Sequence, residues 1–157
     1  MPSPGSSITL SDVIGTERLI SIFSGFTRDI DTVSQRLESS SLNTTVLAPS
    51  DTAIRELPRK PWEDPRDYAA LGTNAYGGED GEDRAHKNLR RFVEAHVVPE
   101  SPWGKETKVQ TVAGNTVWWE EKEGKRWVMP GSIEVETVAK SVGNGEVWIM
   151  KGVNNYA

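Results

Sequence analysis

The stretch Asn43–Ile54 reads NTTVLAPSDTAI and places a short apolar run directly before a proline and a Ser-Asp pair. The run has the apolar and β-branched composition of a buried strand. Pro49 ends such a strand because proline has no amide hydrogen to donate to a neighbour. Ser50 or Asp51 can then cap a helix, since a side-chain oxygen at that position accepts from the unpaired amides of the first turn. The stretch therefore predicts a strand-to-helix joint.

The composition is that of one globular domain. The chain has 157 residues, of which 36% are hydrophobic and 26% charged, so it can bury a sizeable core. Its net charge of −5 and pI of about 5.1 argue against a nucleic acid or an anionic membrane as partner. Cysteine is absent, which excludes disulfides, thiolate catalysis and zinc–cysteine sites. No apolar run approaches the roughly 18 residues of a membrane span.

The segment before the joint has helical periodicity. Six apolar residues recur at steps of three and four on one face, namely Leu19, Phe23, Phe26, Ile30, Val33 and Leu37. Gly25 and the acidic residues near Asp31 favour two short helices with a break over one continuous helix, and we expect Asp31 to cap the second.

Residues 58–84 interrupt every periodicity. Three prolines, four glycines and a run of acids predict a long insertion with flexible, solvated parts. We expect Asp83 to cap the following helix, on which Leu89, Phe92, Val93 and His96 share one face.

The last third of the chain is typical of strands. NTVWWEEKEGKRWVM predicts a hairpin with a three-residue Lys-Glu-Gly loop, which places Trp119 opposite Trp127 and Glu120 opposite Arg126. Two further strands, SIEVETVAKSV and EVWIMKGV, are joined through GNG. Helices followed by strands indicate an α+β fold.

Three boxes in this order resemble the fasciclin-type (FAS1) domain: TTVLAPSDTAI, AHVVPE at residues 95–100, and NGEVWIMKGV at residues 144–153. The residues that carry the resemblance, as a structural signature, are Thr45, Pro49, Asp51, His96, Pro99, Gly145 and Gly152. The resemblance spans about residues 8–154 and implies a β-wedge of two sheets with a helical layer packed on one side. The first and last boxes would then be neighbouring central strands.

The domain organisation follows from these segments. We expect residues 1–6 to be a disordered lead-in, because the start MPSPGSS is small, polar and rich in proline and glycine. It has neither the basic nor the apolar region of a secretory leader, so we expect no signal segment in this chain. Residues 7–157 would form a single FAS1 domain with a long insertion at about 58–84.

The chain departs from the family pattern at two positions. Ala95 stands where the family often carries tyrosine, and Glu100 where it often carries glycine. The integrin binding that is linked with the tyrosine–histidine region in some animal members is therefore not expected here. The segments RKPWEDP and NLRRFVEAHVVPESPW are similar to single-domain fungal members, several of which are destined for the vacuole or the secretory route.

The sequence provides no catalytic constellation. His96 lies on an apolar helix face, and following the family we interpret it as part of a buried network with Ser50 or Asp51, against the alternative of a ligand-binding histidine. Glu82, Asp83 and His86 match no cation-binding spacing, and adjacent acids such as Glu120 and Glu121 point to opposite faces of a strand. We predict no catalytic residue, no metal and no cofactor.

Aromatic residues in loops are the candidate binding residues. Trp62 and Trp103 each lie beside a proline. One interpretation is that they are exposed and anchor a protein partner or stack on a sugar. The other is that each packs under its own loop. Tyr68 and Tyr76, within the insertion, are further candidates. Asn43 begins a glycosylation sequon, Asn-Thr-Thr.

The resemblance implies a non-enzymatic cell-adhesion or protein-interaction module on the secretory route, either at the cell surface or in the vacuole. Its partner would be a protein or a matrix component. An alternative is a module that binds cell-wall polysaccharide through its loop tryptophans. A hydrolase is the least favoured hypothesis, because no pair of groups has the required geometry.

Overall fold

The computed structural model describes residues 8–154, so the expected lead-in at residues 1–6 lies outside the described residues. The helices in this range are α1 Leu10–Ile14, α2 Ser21–Asp29, α3 Asp31–Glu38, α4 Asp51–Arg55, α5 Pro65–Leu71 and α6 Gly78–Glu94, with 3₁₀ turns at Arg18–Ile20 and Gly72–Asn74. The strands are β1 Thr44–Pro49, β2 Val97–Val98, β3 Val109–Gln110, β4 Thr116–Lys122, β5 Lys125–Met129, β6 Ile133–Val142 and β7 Gly145–Met150. No helix in the described range is long and apolar enough to cross a membrane.

The strand-to-helix joint is confirmed. All six residues of β1 are buried, and Ser50 caps α4 by accepting a hydrogen bond from the amide of Ala53 at 3.1 Å. The side-chain oxygen thereby satisfies one of the unpaired amides at the start of the helix.

The strands follow the order β2-β1-β7-β6-β5-β4-β3. Strands β1 and β7 pair in parallel, from Thr44 opposite Gly145 to Pro49 opposite Met150, so the first and last signature boxes are neighbours as the resemblance implied. Strand β6 pairs with β5 at its start and with β7 along the rest of its length, where two bulges interrupt the register. Strand β6 therefore connects the strands β2-β1-β7 on one side with β5-β4-β3 on the other.

Strands β1 and β7 are covered on both faces. Val46, Ala48, Val147 and Ile149 pack with the helices in one apolar cluster. The alternate residues, such as Trp148, pack with the β3–β5 side in a second cluster. This alternation follows from the two-residue period of a strand, and the α+β class with a helical layer is confirmed.

The break between two short helices is also confirmed, with two corrections. Ile30 has extended backbone angles between α2 and α3 and takes the N-cap position, so Asp31 lies in the first turn and forms no cap. Leu19 lies in a 3₁₀ turn before α2 and is 49% exposed. It leaves the apolar face because the turn changes the helical phase ahead of Ser21.

The insertion is more ordered than its composition predicts. It contains α5 and the first turns of α6, so the expectation of a long solvated loop is wrong. Helix α6 begins at Gly78 rather than after Asp83. Glu79 and Asp80 lie in its first turn, where carboxylates interact favourably with the positive end of the helix dipole.

The hairpin forms with a register shifted by one residue from the prediction. Trp119 lies opposite Val128 and Glu120 opposite Trp127. The turn contains two residues, Glu123 and Gly124, both with positive φ. Such a turn matches the right-handed twist of the strands better than the predicted three-residue loop.

Candidate functional site

A groove lies where the chain leaves α4 and enters the insertion, beside α2. Asp51 at the start of α4 accepts a hydrogen bond from the amide of Ile22 at 2.8 Å. This contact holds α4 against α2, and residues 54–55 and 57–63 then line the groove together with Ile22 and Phe26. We call this surface the basic groove. Its volume is about 450 Å³, within the range of sites that take small ligands or single side chains of a partner.

Apolar side chains form much of the groove lining. Ile54 is buried in the helix-side core, and four partly buried side chains pack against that core and also line the groove: Ile22, Phe26, Leu57 and Trp62. The apolar lining is therefore supported from behind by the packed core and is not a flexible surface patch.

The charged lining is mainly positive. Arg55, Arg59 and Lys60 line the groove with one carboxylate, that of Glu63. Within residues 8–154, none of the three cations forms a salt bridge. Glu63 instead accepts from the amide of Lys60 at 2.8 Å and from the hydroxyl of Tyr68. The Tyr68 hydrogen bond is the main reason that the pKa of Glu63 is lowered.

A buried polar network fixes the insertion to α6. The side-chain amide of Asn88 donates to the carbonyl of Trp62 at 2.9 Å and to Asp67 at 3.0 Å. The hydroxyl of Tyr76 donates to Asp67 at 2.8 Å and accepts from the amide of Asp64 at 2.6 Å. The pKa of Asp64 is lowered to about 2, mainly by the hydrogen bond that its carboxylate accepts from the side chain of Arg66. The network holds Trp62 at the rim of the groove.

The four candidate binding residues do not form one surface. Trp62 lies in the basic groove, and Tyr68 is 41% exposed next to it through Glu63. The ring of Tyr76 lies 5.3 Å from that of Tyr68, but its hydroxyl is used by the network. Trp103 is only 4% exposed.

The burial of Trp103 corrects the hypothesis that it offers a binding face. Its ring stacks on Trp148 with centroids 5.4 Å apart, and its indole N–H donates to the carbonyl of Thr107 at 2.9 Å. The residue packs under its own loop, which was the second interpretation of its position beside Pro102. Burial of such a large aromatic side chain stabilises the fold.

His96 is fully buried but its partners differ from those expected. Its Nε2 accepts from the amide of Asn154 at 2.8 Å, so the Nδ1–H donates to the carbonyl of Phe92 at 2.7 Å. Burial lowers the pKa of His96 to about 4. Ser50 and Asp51 instead satisfy backbone amides of α4 and α2. The expectation that they are partners of His96 is therefore wrong, and the histidine connects α6 to the end of the chain.

The other signature residues serve the packing of strands and turns. The hydroxyl of Thr45 donates to the carbonyl of Glu100 at 2.7 Å, beside the exposed Pro99. A Cβ on Gly145 would overlap the carbonyl oxygen of Thr44, and one on Gly152 would lie 3.2 Å from Ile133. Glycine at these two positions permits close approach of neighbouring strands and loops.

The described residues contain no cluster suited to metal binding. Within residues 8–154, no three His, Asp or Glu side chains are placed to hold a metal ion. His86 lies 3.2 Å from the carbonyl oxygen of Asp29, and Glu82 and Asp83 are exposed to solvent.

Asn43, the sequon residue, is exposed at the start of β1. Its backbone carbonyl accepts from Arg36 at 3.0 Å, and its side chain lines a shallow surface depression with Pro102 and Ser141. This location is sterically open to a glycan, and glycosylation itself stays a prediction.

Sequence reasoning missed the cations of the groove. The run RELPRKPW at residues 55–62 contains three basic residues, Arg55, Arg59 and Lys60, and two prolines just before Trp62. Basic residues beside an aromatic in a Pro-rich segment were the available signal, but the packing of α4 on α2, which brings Ile54 and Phe26 behind them, was not apparent from the sequence.

Comparison with known proteins connects this chain to fungal relatives, although no family model matches it. A FAS1 domain-containing protein of Neurospora crassa is 61% identical over 152 residues, which cover 96% of this chain and 67% of the relative. One from Aspergillus fumigatus is 48% identical over 148 residues, covering 94% of this chain and 63% of the relative. One from Emericella nidulans is 46% identical over 148 residues, covering 94% and 62%. The chain thus spans about two thirds of the length of these relatives.

The fold has a counterpart among solved structures. A FAS1 domain pair from the insect cell adhesion molecule fasciclin I matches with a TM-score of 0.65 and 12% sequence identity, over 92% of this chain and 50% of that one. At this identity the match concerns the fold alone, whereas the fungal relatives match in sequence over nearly the whole chain. The chain therefore belongs to the FAS1 domain family, among members from fungi.

Proposed function

We propose that this domain is a non-enzymatic interaction module of the fasciclin type, which holds a protein partner in cell adhesion, and that the basic groove is where the partner docks. One observation carries the proposal: an apolar concavity of about 450 Å³ lined by Trp62, Leu57 and three cations that form no salt bridge with any other residue of the described range 8–154. Tryptophan and arginine around an apolar centre are the residue types that dominate binding energy at protein interfaces.

The rigid support of the groove favours docking of a protein. Asn88 and Tyr76 hold the insertion in place, and Asp51 fixes α4 on α2. A preformed site loses less conformational entropy on binding than a flexible loop does. The solved relative of this fold is described as a cell adhesion molecule, and by analogy we place this domain on the secretory route, at the cell surface or in the vacuole.

The polysaccharide hypothesis has less support. It relied on Trp62 and Trp103 together, and Trp103 is buried against Trp148. Trp62 remains as a single half-buried ring beside three cations, which are not the usual surroundings of a neutral sugar.

Adhesion can be tested with beads coated with the domain and applied to hyphae of Neurospora crassa, the source of the relative with 61% identity. We expect Leu57→Glu, which places a charge in the apolar lining, to reduce bead adhesion about tenfold. Leu42→Glu is the matched control, because Leu42 is 42% exposed and lies outside the groove.

Equal adhesion of the Leu57→Glu and wild-type beads would contradict docking in the groove, provided that circular dichroism shows both proteins folded. Adhesion that is lost when free cell-wall polysaccharide is added, and that Leu57→Glu does not change, would support the polysaccharide alternative.

A further inference from the structure

We infer that the basic groove recognises an acidic peptide segment of the partner that carries at least one large apolar side chain. This inference rests on the proposed function and adds the chemistry of the partner to it. The two parts of the groove, its apolar lining and its cations, each require one feature of such a segment.

The apolar lining requires an apolar anchor. Ile22, Phe26 and Leu57 pack on the helix-side core and leave part of their surface in the groove. A leucine or phenylalanine side chain of a partner would bury this surface, and the transfer of both apolar surfaces out of water would stabilise the complex. A fully polar peptide would leave the same surface wet.

The cations require acidic groups. Arg55, Arg59 and Lys60 lie within one short segment of a chain whose net charge is −5, so the groove opposes the charge of the molecule as a whole. The Nε–H of Arg59 is buried and has no hydrogen-bond partner among the described residues. An arginine that lacks a carboxylate partner can donate two parallel hydrogen bonds to the carboxylate of a ligand.

The single acid of the groove does not cancel this charge pattern. Glu63 is held by the amide of Lys60 and the hydroxyl of Tyr68, so both of its oxygens have partners on the protein. Its carboxylate is thereby fixed at the edge next to Tyr68, and the three cations remain available to a ligand.

Charge also favours a peptide over an anionic membrane. A membrane surface would face a large part of this acidic molecule and be repelled by it. A peptide in the groove lies within one Debye length, about 10 Å, of the cations and is screened from more distant acids. A second copy of the chain could offer its exposed acids Glu79, Asp80, Glu82 and Asp83. This segment has no large apolar residue among the four acids, so it lacks the anchor that the apolar lining requires.

The inference can be tested by fluorescence polarisation with the labelled peptide GDEFEDLG. We expect saturable binding that weakens about tenfold when NaCl is raised from about 50 mM to about 500 mM. Two comparison peptides separate the two requirements: GKKFKKLG reverses the charges, and GDEAEDAG removes the apolar anchors. Both should bind at least about tenfold more weakly.

The charge-reversed double variant Arg59→Glu/Lys60→Glu should lose binding of GDEFEDLG, whereas Lys87→Glu/Lys105→Glu should retain it. Both double variants change the net charge equally, and Lys87 and Lys105 are exposed outside the groove. Equal loss in the two variants, equal binding of GKKFKKLG, or no saturable binding of GDEFEDLG would each overturn the inference.

Two outcomes separate this inference from the proposed function. Bead adhesion that depends on Leu57 but not on Arg59 or Lys60 would overturn the acidic-peptide inference and leave the adhesion proposal standing. Salt-sensitive self-association in sedimentation velocity, lost in Arg59→Glu/Lys60→Glu, would identify a second copy as the occupant and would also overturn it.

Discussion

His96 illustrates how one buried polar residue can hold distant parts of the chain together. Its two ring nitrogens are both used, one by Phe92 in α6 and the other by the amide of Asn154 after β7. The rings of Phe23 and Phe92 pack around the imidazole, with centroids 5.7 Å and 4.8 Å from it. Protonation of Nε2 would remove its acceptor and place a charge among these rings, so the neutral form is favoured.

The stability of the domain should therefore fall as the pH drops from neutral towards 5. Burial lowers the pKa of His96 from 6.5 to about 4, so the unfolded state binds the proton first. The stabilising effect is complete above pH 6.5 and is lost progressively between 6.5 and 4. At about pH 5 the free energy of unfolding should be lower by ~2 kcal/mol than at pH 7. Urea unfolding at the two pH values measures this difference.

His96→Gln is the control for that measurement, because it removes the titrating group. Its free energy of unfolding should change little between the two pH values. Glu63, Asp64 and Glu134 have lowered pKa values, so their contributions are lost only at more acidic pH. An equal decrease in wild type and His96→Gln would show that His96 is not the cause.

At the scale of elements, the pairing of β1 with β7 depends on the absence of a side chain at Gly145. This residue has a φ of 152° and lies opposite Thr44 at the start of the parallel ladder. An added Cβ would overlap the carbonyl of Thr44 and come 2.9 Å from the side chain of Leu10. Neither the backbone of β1 nor the buried Leu10 can move without disturbing the core.

Gly145→Ala should accordingly lower the free energy of unfolding by about 3 kcal/mol through overpacking and backbone strain. Gly25→Ala in α2 is the matched control, since no heavy atom lies within 4 Å of its added Cβ. That variant should be as stable as wild type or more stable by about 0.5–1 kcal/mol. Thermal denaturation of the three proteins compares them, and a Gly145→Ala protein as stable as Gly25→Ala would refute the close-approach explanation.

The insertion depends on the hydroxyl of Tyr76. Tyr76→Phe leaves the amide of Asp64 without its acceptor and removes one of the two donors to Asp67, the other being Asn88, so it should lower the free energy of unfolding by about 1–2 kcal/mol. Amide hydrogen exchange in residues 61–77 should become faster. Tyr68→Phe, at a more exposed residue, should change stability by about 0.5 kcal/mol or less. Unchanged exchange in Tyr76→Phe would mean that other contacts hold the insertion.

The elements that sequence reasoning predicts correctly are those with local chemical causes. Pro49 and Ser50 define the joint by backbone chemistry alone, and the parallel partner of β1 followed from the family resemblance. Asp64 and Pro65 are also a local helix-start signal, which the high content of glycine and acid around them concealed.

The features that the sequence does not predict depend on tertiary contacts or on unusual backbone angles. Helix α6 begins at Gly78 partly because Gly81 packs closely on the backbone of Tyr76. The hairpin register depends on Glu123 adopting a positive φ, which few non-glycine residues do. The acceptor role of His96 depends on Asn154, and the burial of Trp103 depends on Trp148. Asn154 and Trp148 both lie far from their partners in sequence.

At the scale of the whole molecule, two central strands separate two different environments. One face of β1 and β7 supports the helices and, behind them, the basic groove. The other face supports a tryptophan-rich cluster, in which Arg126 lies over the rings of Trp119 and Trp148. The groove thus lies on the rigid helical side of the molecule. Its cations contrast with the net negative charge of the chain, and this contrast is the basis for proposing that the groove binds an acidic segment.

Chemical-shift mapping can show where an acidic peptide docks on the domain. The ¹⁵N-labelled domain is titrated with the peptide GDEFEDLG, and backbone amide shifts are followed. We expect the largest shifts on the groove residues, namely Ile22, Phe26, Arg55 and residues 57–63, and we expect Arg59→Glu/Lys60→Glu to abolish them. Shifts that cluster on the β4–β5 hairpin, or an unchanged spectrum at saturating peptide, would contradict docking in the basic groove.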